Sequence, residues 1–279
     1  MALAKIMRNG IYITVITIAT LLISIPAKAQ KEEHHKDLGN KYYEKGNYKR
    51  AISEYKNAIA IKVNYDVAYY NIGLAFNQLD EYDSAVTYFN RSLELNPDRI
   101  KTYLQRGEAY LYLGNYRACL PDLNRFISES EDSLSLSQAY ELMGYSHELS
   151  DNYEIGYTAF DNSLNFRPND THLLYHRGLC ANQIKKYEHA FDDLTKVVSE
   201  RPEYENGLVQ LGYTLIRLRR FDTAIDTLNR AINLNQKNAL AYYYRGYAKW
   251  FLGLYKEADA DKEQANQLGL KSKLWPKPD

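Results

Sequence analysis

Apolar and polar residues alternate along most of the chain with helical spacing. In the segment AIDTLNRAI at 224–232, the apolar positions stand three and four residues apart, which places them on one face of an α-helix. Such segments come in pairs, and short turns such as LGNY at 113–116 separate the two members of a pair. The pattern therefore predicts helix–turn–helix units rather than strands.

Three ladders of residues keep one register along the chain. Glycine recurs at intervals of 34 residues, with one interval of 37, at Gly39, Gly73, Gly107, Gly144, Gly178, Gly212 and Gly246. An aromatic residue stands nine positions after each glycine, at Tyr48, Tyr82, Tyr116, Tyr153, Tyr187, Phe221 and Tyr255. A small residue stands twelve positions after it, at Ala51, Ala85, Cys119, Gly156, Ala190, Ala224 and Ala258. The shared register indicates seven copies of one unit.

The glycine and the small residue allow two antiparallel helices to approach closely, while the aromatic ring fills the turn. The 34-residue period, this ladder and the prolines that close three copies, Pro97, Pro168 and Pro202, resemble the tetratricopeptide repeat family. The resemblance implies an all-α fold, an α-solenoid of seven helix–turn–helix units wound into a right-handed superhelix. We expect the array to cover 30–272, with units that begin near residues 32, 66, 100, 137, 171, 205 and 239.

Two departures from the period affect the ends and joints of the array. The three extra residues of the third copy fall in the polar segment 128–133, which predicts a longer loop after that copy. The last helix, 257–267, is polar on nearly every side, as a terminal repeat that faces water must be. A short tail, 273–279, follows it.

The first 29 residues differ from the rest. Lys5 and Arg8 precede an apolar run at 11–25, and Pro26 and the sequence AKA at 27–29 follow it. This arrangement is typical of a secretory signal peptide, 1–29, cleaved before Gln30, although an uncleaved anchor is the alternative. We therefore expect an exported protein of the periplasm or cell envelope, with no membrane span after cleavage.

Composition and charge argue against several classes of function. Lys and Arg total 35, as do Asp and Glu, so the chain has no basic excess to attract nucleic acid. His172 and His176 have a spacing suited to metal binding, but nothing within the same turn completes a ligand set. No catalytic or phosphate-binding motif is present. We expect no enzymatic activity, no metal and no cofactor; the oligomeric state is left open.

Comparison of the seven copies reveals a paired substitution. Arginine precedes the glycine in the third, fifth and seventh copies only, and the same copies carry aspartate sixteen residues later. The pairs are Arg106 with Asp122, Arg177 with Asp193, and Arg245 with Asp261. We predict structural ion pairs that join the two helices of each copy.

The family resemblance also implies a concave groove lined by the first helix of each unit. The positions that face such a groove carry mostly aromatic and uncharged residues, namely Tyr43, Tyr70, Asn77, Tyr112, Tyr145, Tyr175, Asn182, Tyr213, Arg217, Tyr243, Tyr247 and Trp250. These rings either pack against neighbouring copies or contact a ligand. The predicted ligand is an extended protein segment, which makes the chain a non-catalytic interaction scaffold of the cell envelope. The alternative is an accessory for polysaccharide binding or export, with the rings stacked on sugars.

One group of residues resembles the carboxylate clamp of co-chaperones in this family. Lys36, Asn40, Asn71 and Lys101 match four of the five clamp positions, and Gln105 stands where the pattern has arginine. The resemblance implies that two ammonium groups could hold the terminal carboxylate of a partner.

Overall fold

The computed structural model describes residues 30–270, and within that range the chain forms fourteen α-helices and no strand. The first helix, α1, spans 30–44. The others are α2 Tyr48–Ile61, α3 Asp66–Asn77, α4 Tyr82–Leu95, α5 Ile100–Tyr112, α6 Tyr116–Glu129, α7 Ser133–Glu148, α8 Tyr153–Leu164, α9 Thr171–Gln183, α10 Tyr187–Glu200, α11 Glu205–Arg217, α12 Phe221–Leu234, α13 Ala239–Phe251 and α14 Tyr255–Gln267. The predicted signal peptide, 1–29, and tail, 273–279, lie outside the described residues.

The helices form seven antiparallel pairs, and the predicted all-α fold is confirmed. We call the odd-numbered helices A helices and the even-numbered ones B helices. The chain divides into two compact units at Glu129/Ser130: unit 1 contains α1–α6, and unit 2 contains α7–α14. Within unit 1, α3 contacts α5; within unit 2, α9 contacts α11 and α11 contacts α13. These A helices are therefore neighbours. No helix in 30–270 has both the length and the apolar character that a bilayer span requires.

The glycine ladder marks the contact between the two helices of a pair. A Cβ atom on Gly73 would lie 2.4 Å from Cε1 of Phe89, and one on Gly212 would lie 2.5 Å from Cγ of Leu228. Both of these larger side chains are fully buried. The glycines are thus needed for close packing, since any side chain there would displace a core residue.

The prediction of a longer loop after the third copy is wrong. Only 130–132 separate α6 from α7, whereas α7 has 16 residues. The side chain of Asp132 accepts a hydrogen bond from the backbone N–H of Ser135 at 3.2 Å and caps the helix. This cap satisfies a backbone donor at the helix start and lets the inserted residues lengthen α7 at its N-terminus.

Candidate binding surface

The three arginine–aspartate pairs meet in the structure as bidentate ion pairs. Nε and Nη2 of Arg106 donate to the two carboxylate oxygens of Asp122, both at 2.7 Å. The same two nitrogens bind the carboxylate in the other two pairs. Their distances to the carboxylate oxygens are 2.8 and 2.6 Å for Arg177 with Asp193, and 2.8 and 2.5 Å for Arg245 with Asp261. Each pair joins the A helix and the B helix of one copy. The aspartate side chains are 6–7% exposed, so these charges are stabilised by their partners rather than by water.

Each arginine also makes a third hydrogen bond, to a second partner residue that the sequence comparison missed. Nη1 of Arg106 donates to Oδ1 of Asn90 at 2.7 Å, and Nη1 of Arg245 donates to Asn229 at the same distance. Nη1 of Arg177 lies 2.5 Å from Oδ1 of Asp161. All three acceptors lie sixteen residues before their arginine, on the preceding B helix. Each arginine therefore ties two consecutive copies together.

The local electrostatics of the fifth copy follow from this arrangement. The hydrogen bond to Asp193 raises the pKa of the Arg177 guanidinium above its ordinary value, although burial opposes the shift. The guanidinium therefore stays charged at any pH at which the protein is folded. Its role is to position helices rather than to exchange protons.

In unit 1, all three predicted groove rings remain partly or largely exposed beside polar groups. Tyr112 is 60% exposed and stacks on Tyr82 with ring centroids 5.0 Å apart. Tyr43 packs edge-on against Tyr48 at 5.2 Å. The ring of Tyr70 is also partly exposed and lies with its centroid 6.0 Å from that of Phe89, and burial raises the pKa of its phenol to about 12.

A small cavity of about 220 Å³ opens beside Tyr112 in unit 1. Its lining residues are Asn77, Gln78, Asp80, Tyr82, Gln105, Glu108 and Tyr112. The side-chain amide of Asn77 donates to the backbone carbonyl of Gln105 at 3.4 Å, while its Oδ1 has no hydrogen-bond partner although it is buried. The cavity thus combines a polar rim, two carboxylates and two stacked rings.

In unit 2, the predicted groove residues separate into two groups. Tyr145, Tyr213, Arg217, Tyr243 and Trp250 are partly exposed. By contrast, the structure buries Tyr175, Asn182 and Tyr247, which are 9%, 3% and 4% exposed.

The three buried side chains therefore cannot present a surface to a ligand, and their assignment as contact residues needs correction. Tyr175 packs against Tyr204, with ring centroids 5.1 Å apart, and Tyr247 against Phe251 at 5.0 Å. Oδ1 of Asn182 accepts a hydrogen bond from Thr214 at 3.0 Å. Tyr204 directly precedes α11 and Thr214 lies on it, so the next copy packs against Tyr175 and Asn182, whereas Phe251 lies on the same helix as Tyr247.

Tyr145 lies at the centre of a polar cluster on α7 and α9. Its hydroxyl donates to Oε1 of Glu141 at 3.1 Å and lies 2.8 Å from Nδ1 of His172. His176 bonds a different partner, since its Nδ1 lies 2.8 Å from Oε2 of Glu148. Burial, aided by Glu141, raises the pKa of the Tyr145 phenol. The two histidines thus serve separate hydrogen bonds, and the described residues contain no group of three metal ligands.

The residues of the predicted carboxylate clamp all lie in unit 1. The Asn71 side chain donates to Oδ1 of Asn40 at 3.1 Å, and the Tyr55 hydroxyl donates to the same atom at 2.9 Å. The ammonium group of Lys36 is hydrogen-bonded to Glu33 and lies 3.3 Å from Asp37.

Lys101 is exposed on α5, and the backbone of Gln105 accepts the bond from Asn77. An incoming carboxylate would have to compete with Glu33 and Asp37 for Lys36. The two asparagines are hydrogen-bonded to each other, and one of the two cations of the pattern, Lys36, already has anionic partners.

Comparison with known proteins agrees with the repeat. A family model described as "Tetratricopeptide repeat" matches residues 67–99, and one described as "TPR repeat" matches 39–80 and 212–253. A TPR repeat-containing protein of Methanocaldococcus jannaschii is 19% identical over 263 residues, which cover 85% of this chain and 44% of that protein. The chain thus spans less than half the length of this curated relative.

Solved structures share the fold at low sequence identity. YrrB, described as a TPR protein with an unusual peptide-binding site, has a TM-score of 0.61 at 16% identity, over 67% of this chain and 95% of that one. A tetratricopeptide repeat protein from Parabacteroides merdae has a TM-score of 0.60 at 17% identity, over 87% and 95%. The segments that match the family models lie within the seven-copy ladder, and these solved structures show the same fold.

Proposed function

We propose that the protein is a non-catalytic interaction scaffold whose A helices bind an extended segment of a partner protein. Tetratricopeptide repeat proteins generally mediate protein–protein interactions. The observation that carries the proposal is the set of partly exposed rings on the A helices, among them Tyr112 in unit 1 and Tyr145, Tyr213 and Tyr243 in unit 2. Rings of this kind provide a large contact area with little loss of side-chain entropy.

The polar groups beside these rings suit a peptide backbone. Asn77 and Gln105 line the cavity next to Tyr112, and amide side chains can both donate to and accept from main-chain groups. Because the residues of the carboxylate clamp include a lysine already bonded to Glu33, the clamp forms no part of the proposed contact. YrrB, which has the same fold, is described as having an unusual peptide-binding site.

We also propose that the protein acts after export, in the periplasm or cell envelope. The support is the sequence of residues 1–29, with Lys5 and Arg8, an apolar run and the small residues before Gln30. Fractionation of cells and the intact mass of the purified protein test this. A mass that begins at Gln30 in the periplasmic fraction is expected, whereas an uncleaved chain in the cytosol would refute it.

Site-specific photocrosslinking in the native cell tests the interaction. A photoreactive phenylalanine analogue replaces Tyr112 or Tyr243 on the A helices, and Tyr255 on a B helix is the matched control. Tyr255 is 60% exposed, as Tyr112 is, so exposure alone cannot explain a difference. We expect the same protein to be crosslinked at one or both A-helix sites and not at Tyr255. Equal crosslinking at all three sites, or adducts with glycan alone, would contradict the proposal.

A further inference from the structure

The first copy carries a cluster of exposed lysines at the end where its two helices are joined. Lys41 lies on α1, Lys45 lies in the turn that follows it, and Lys49 lies in the first turn of α2. The side chains of all three are exposed. Because α1 and α2 are antiparallel and this turn is short, the three lysines lie at the same end of the first copy. We call them the basic end of unit 1.

The ammonium groups of the basic end have no counter-ion in the part of the chain that the structure describes. Neither an ion pair nor a hydrogen bond joins the side chain of Lys41, Lys45 or Lys49 to another residue of 30–270. Arg50 is a fourth cation of the same segment, but its Cζ lies 5.7 Å from the ring centroid of Tyr42. This cation–π contact accounts for Arg50 within the fold.

Acidic residues lie nearby but do not pair with the basic end. Glu44 is exposed on α1. The turn of the second copy, with Asp80 and Glu81, lies alongside, because the Tyr48 hydroxyl donates to Oε1 of Gln78 at 3.3 Å. Among the described residues, none of these carboxylates forms an ion pair with the three lysines. The ammonium groups are therefore available to an anion outside the chain.

The register of Lys41 explains why its side chain is exposed. The six later copies have a small residue there that is at most 1% exposed, namely Ala75, Ala109, Ser146, Cys180, Thr214 and Ala248. This position faces the preceding copy, since the Thr214 hydroxyl donates to Asn182 at 3.0 Å. Within 30–270 no copy precedes the first one, so a polar residue suits the position.

A need for polarity does not explain the sign of the charge. The other terminal helix of the described chain, α14, exposes Glu257, Asp259 and Glu263 beside Lys256. It thus meets the same need mainly with acidic residues.

The position of Lys49 is unfavourable for a cation. It lies in the first turn of α2, where the helix dipole favours a negative charge. Four of the six later copies have an acidic residue at this register, at Asp83, Glu154, Glu188 and Asp222. The fold therefore gives no reason for a lysine here.

The chemistry of the three side chains favours an extended anionic surface over a single carboxylate. A lysine ammonium is a flexible, hydrated point charge, and it lacks the planar geometry with which arginine holds one carboxylate at two points. The three lysines do not line the cavity beside Tyr112. Lysines near an anionic membrane are attracted by its surface potential and need no specific contact.

We propose that the basic end of unit 1 binds an anionic lipid surface, so that the protein lies against a membrane without spanning it. Charge complementarity carries the choice of ligand. The proposal does not involve the exposed rings of the A helices. It rests on the proposed export only for the form of the protein that is tested.

Co-sedimentation with vesicles tests the proposal. The vesicles contain equal parts of phosphatidylglycerol and phosphatidylcholine, or phosphatidylcholine alone. The protein begins at Gln30, as in the proposed mature chain, and it contains every described residue. The apolar run at 11–25 is thus absent and cannot carry the binding.

Two variants that lose the same charge are compared with the wild type. The test variant is K41Q/K45Q/K49Q. The control variant is K101Q/K237Q/K256Q, which replaces three other exposed lysines on separate segments of the chain. Circular dichroism checks that both variants keep their helical content.

We expect the wild type to bind the anionic vesicles at about 0.1 M salt and to be released at about 1 M salt, where the Debye length is about 3 Å. A lysine near an anionic surface contributes about fivefold to the affinity at low salt. Because salt screens part of this attraction, K41Q/K45Q/K49Q should bind about tenfold or more weakly. The control variant should change by less than about threefold.

Three results would overturn the proposal. Equal losses in the two variants would show that only the net charge matters. Equal binding to both kinds of vesicle would show that the lipid charge does not matter. Absence of wild-type binding to the anionic vesicles would remove the ligand altogether.

Two other occupants are also distinguished. A labelled peptide of alternating Glu and Ser reports on an acidic protein segment by fluorescence anisotropy. If this peptide bound the wild type and not K41Q/K45Q/K49Q, while the vesicles bound neither, the ligand would be a protein. Wild-type dimers that K41Q/K45Q/K49Q abolishes, again without vesicle binding, would make the occupant a second copy. Either result would overturn the proposal.

The outcome is separable from the two proposals on function. Crosslinking at Tyr112 or Tyr243 reports on the partner segment, and the intact mass of the protein reports on export. Each of the three proposals can therefore fail without the others.

Discussion

Replacement of Arg106 by leucine tests whether the arginine clusters stabilise the joints between copies. Four other copies have an apolar residue at this register, Leu38, Ile72, Met143 and Leu211, so leucine is compatible with the helix. The change removes two hydrogen bonds to Asp122 and one to Asn90. It leaves the Asp122 carboxylate, which is 7% exposed, without its counter-ion. Loss of one partner from such a pair costs about 3–5 kcal/mol of unfolding free energy.

The seventh copy should respond less to the same substitution. Asp261 is bonded to Arg245 and also to Nζ of Lys249, at 2.7 Å. Arg245→Leu therefore leaves a paired carboxylate, and we expect a loss of roughly 1.5 kcal/mol, near that of a single charged hydrogen bond. The double variant Arg106→Leu/Asp122→Leu removes both charges and should lie within about 1 kcal/mol of the wild type.

Urea denaturation followed by circular dichroism gives the free energies of unfolding. Because repeat arrays can open locally, hydrogen exchange of the peptides from α5 and α6 reports on the joint itself. Arg177→Leu should lose about as much stability as Arg106→Leu, since it leaves buried Asp193 without its bidentate partner. A double variant as unstable as Arg106→Leu would refute the reasoning, as would equal losses for Arg106→Leu and Arg245→Leu.

Two further changes test packing and pH dependence. Gly73→Ala should destabilise the protein by about 1–3 kcal/mol, because the new Cβ would lie 2.4 Å from the ring of buried Phe89. Gly107→Ala should cost less, since its Cβ would lie 3.0 Å from the flexible side chain of Leu123. Equal urea midpoints for the two variants would contradict this. Burial tends to raise the pKa of Asp66, but hydrogen bonds from Asn96 and Arg99 outweigh it and hold this pKa below its ordinary value. The stabilisation is therefore present above the unfolded-state pKa and is lost as pH falls through the folded-state pKa. We expect Asp66→Asn to reduce the slope of stability against pH below about 4, and an unchanged slope would disprove it.

Much of the fold could be predicted because seven copies of one unit can be compared within a single chain. A single Gly followed by an aromatic nine residues later carries little information, but seven such pairs in one register indicate a repeat. The same comparison singled out the arginine–aspartate pairs. It missed Asn90 because the equivalent position of the third copy, Asn124, also has asparagine without a following arginine. The pattern of acceptors becomes visible only when the geometry identifies the preceding B helix.

The wrong predictions concern residues whose local sequence is compatible with two different structures. Segment 128–133 is polar enough for a loop, yet Asp132 caps a helix start and the extra residues lengthen α7. Tyr175 and Tyr213 are equivalent in their predicted role on the A helices, but Tyr175 is 9% exposed because Tyr204 covers it, whereas Tyr213 is partly exposed. Which ring is covered depends on the neighbouring loop, and the repeat pattern does not encode that choice.

Glycine is required at one position of the repeat and replaceable at another. All seven copies keep glycine at the close contact between helices, since a Cβ atom at Gly73 or Gly212 would overlap a core side chain. At the left-handed position of the turn, glycine is equally suitable, yet only three copies use it and Lys185 and Arg219 occupy it in the fifth and sixth. An invariant glycine that steric overlap explains belongs to the fold. Two more copies have aspartate at the left-handed position, and the carboxylates of Asp80 and Asp151 accept hydrogen bonds from the hydroxyls of Tyr82 and Tyr153, two residues later. A charged residue where the backbone favours glycine can therefore also belong to the fold, because its side chain fixes the start of the next helix.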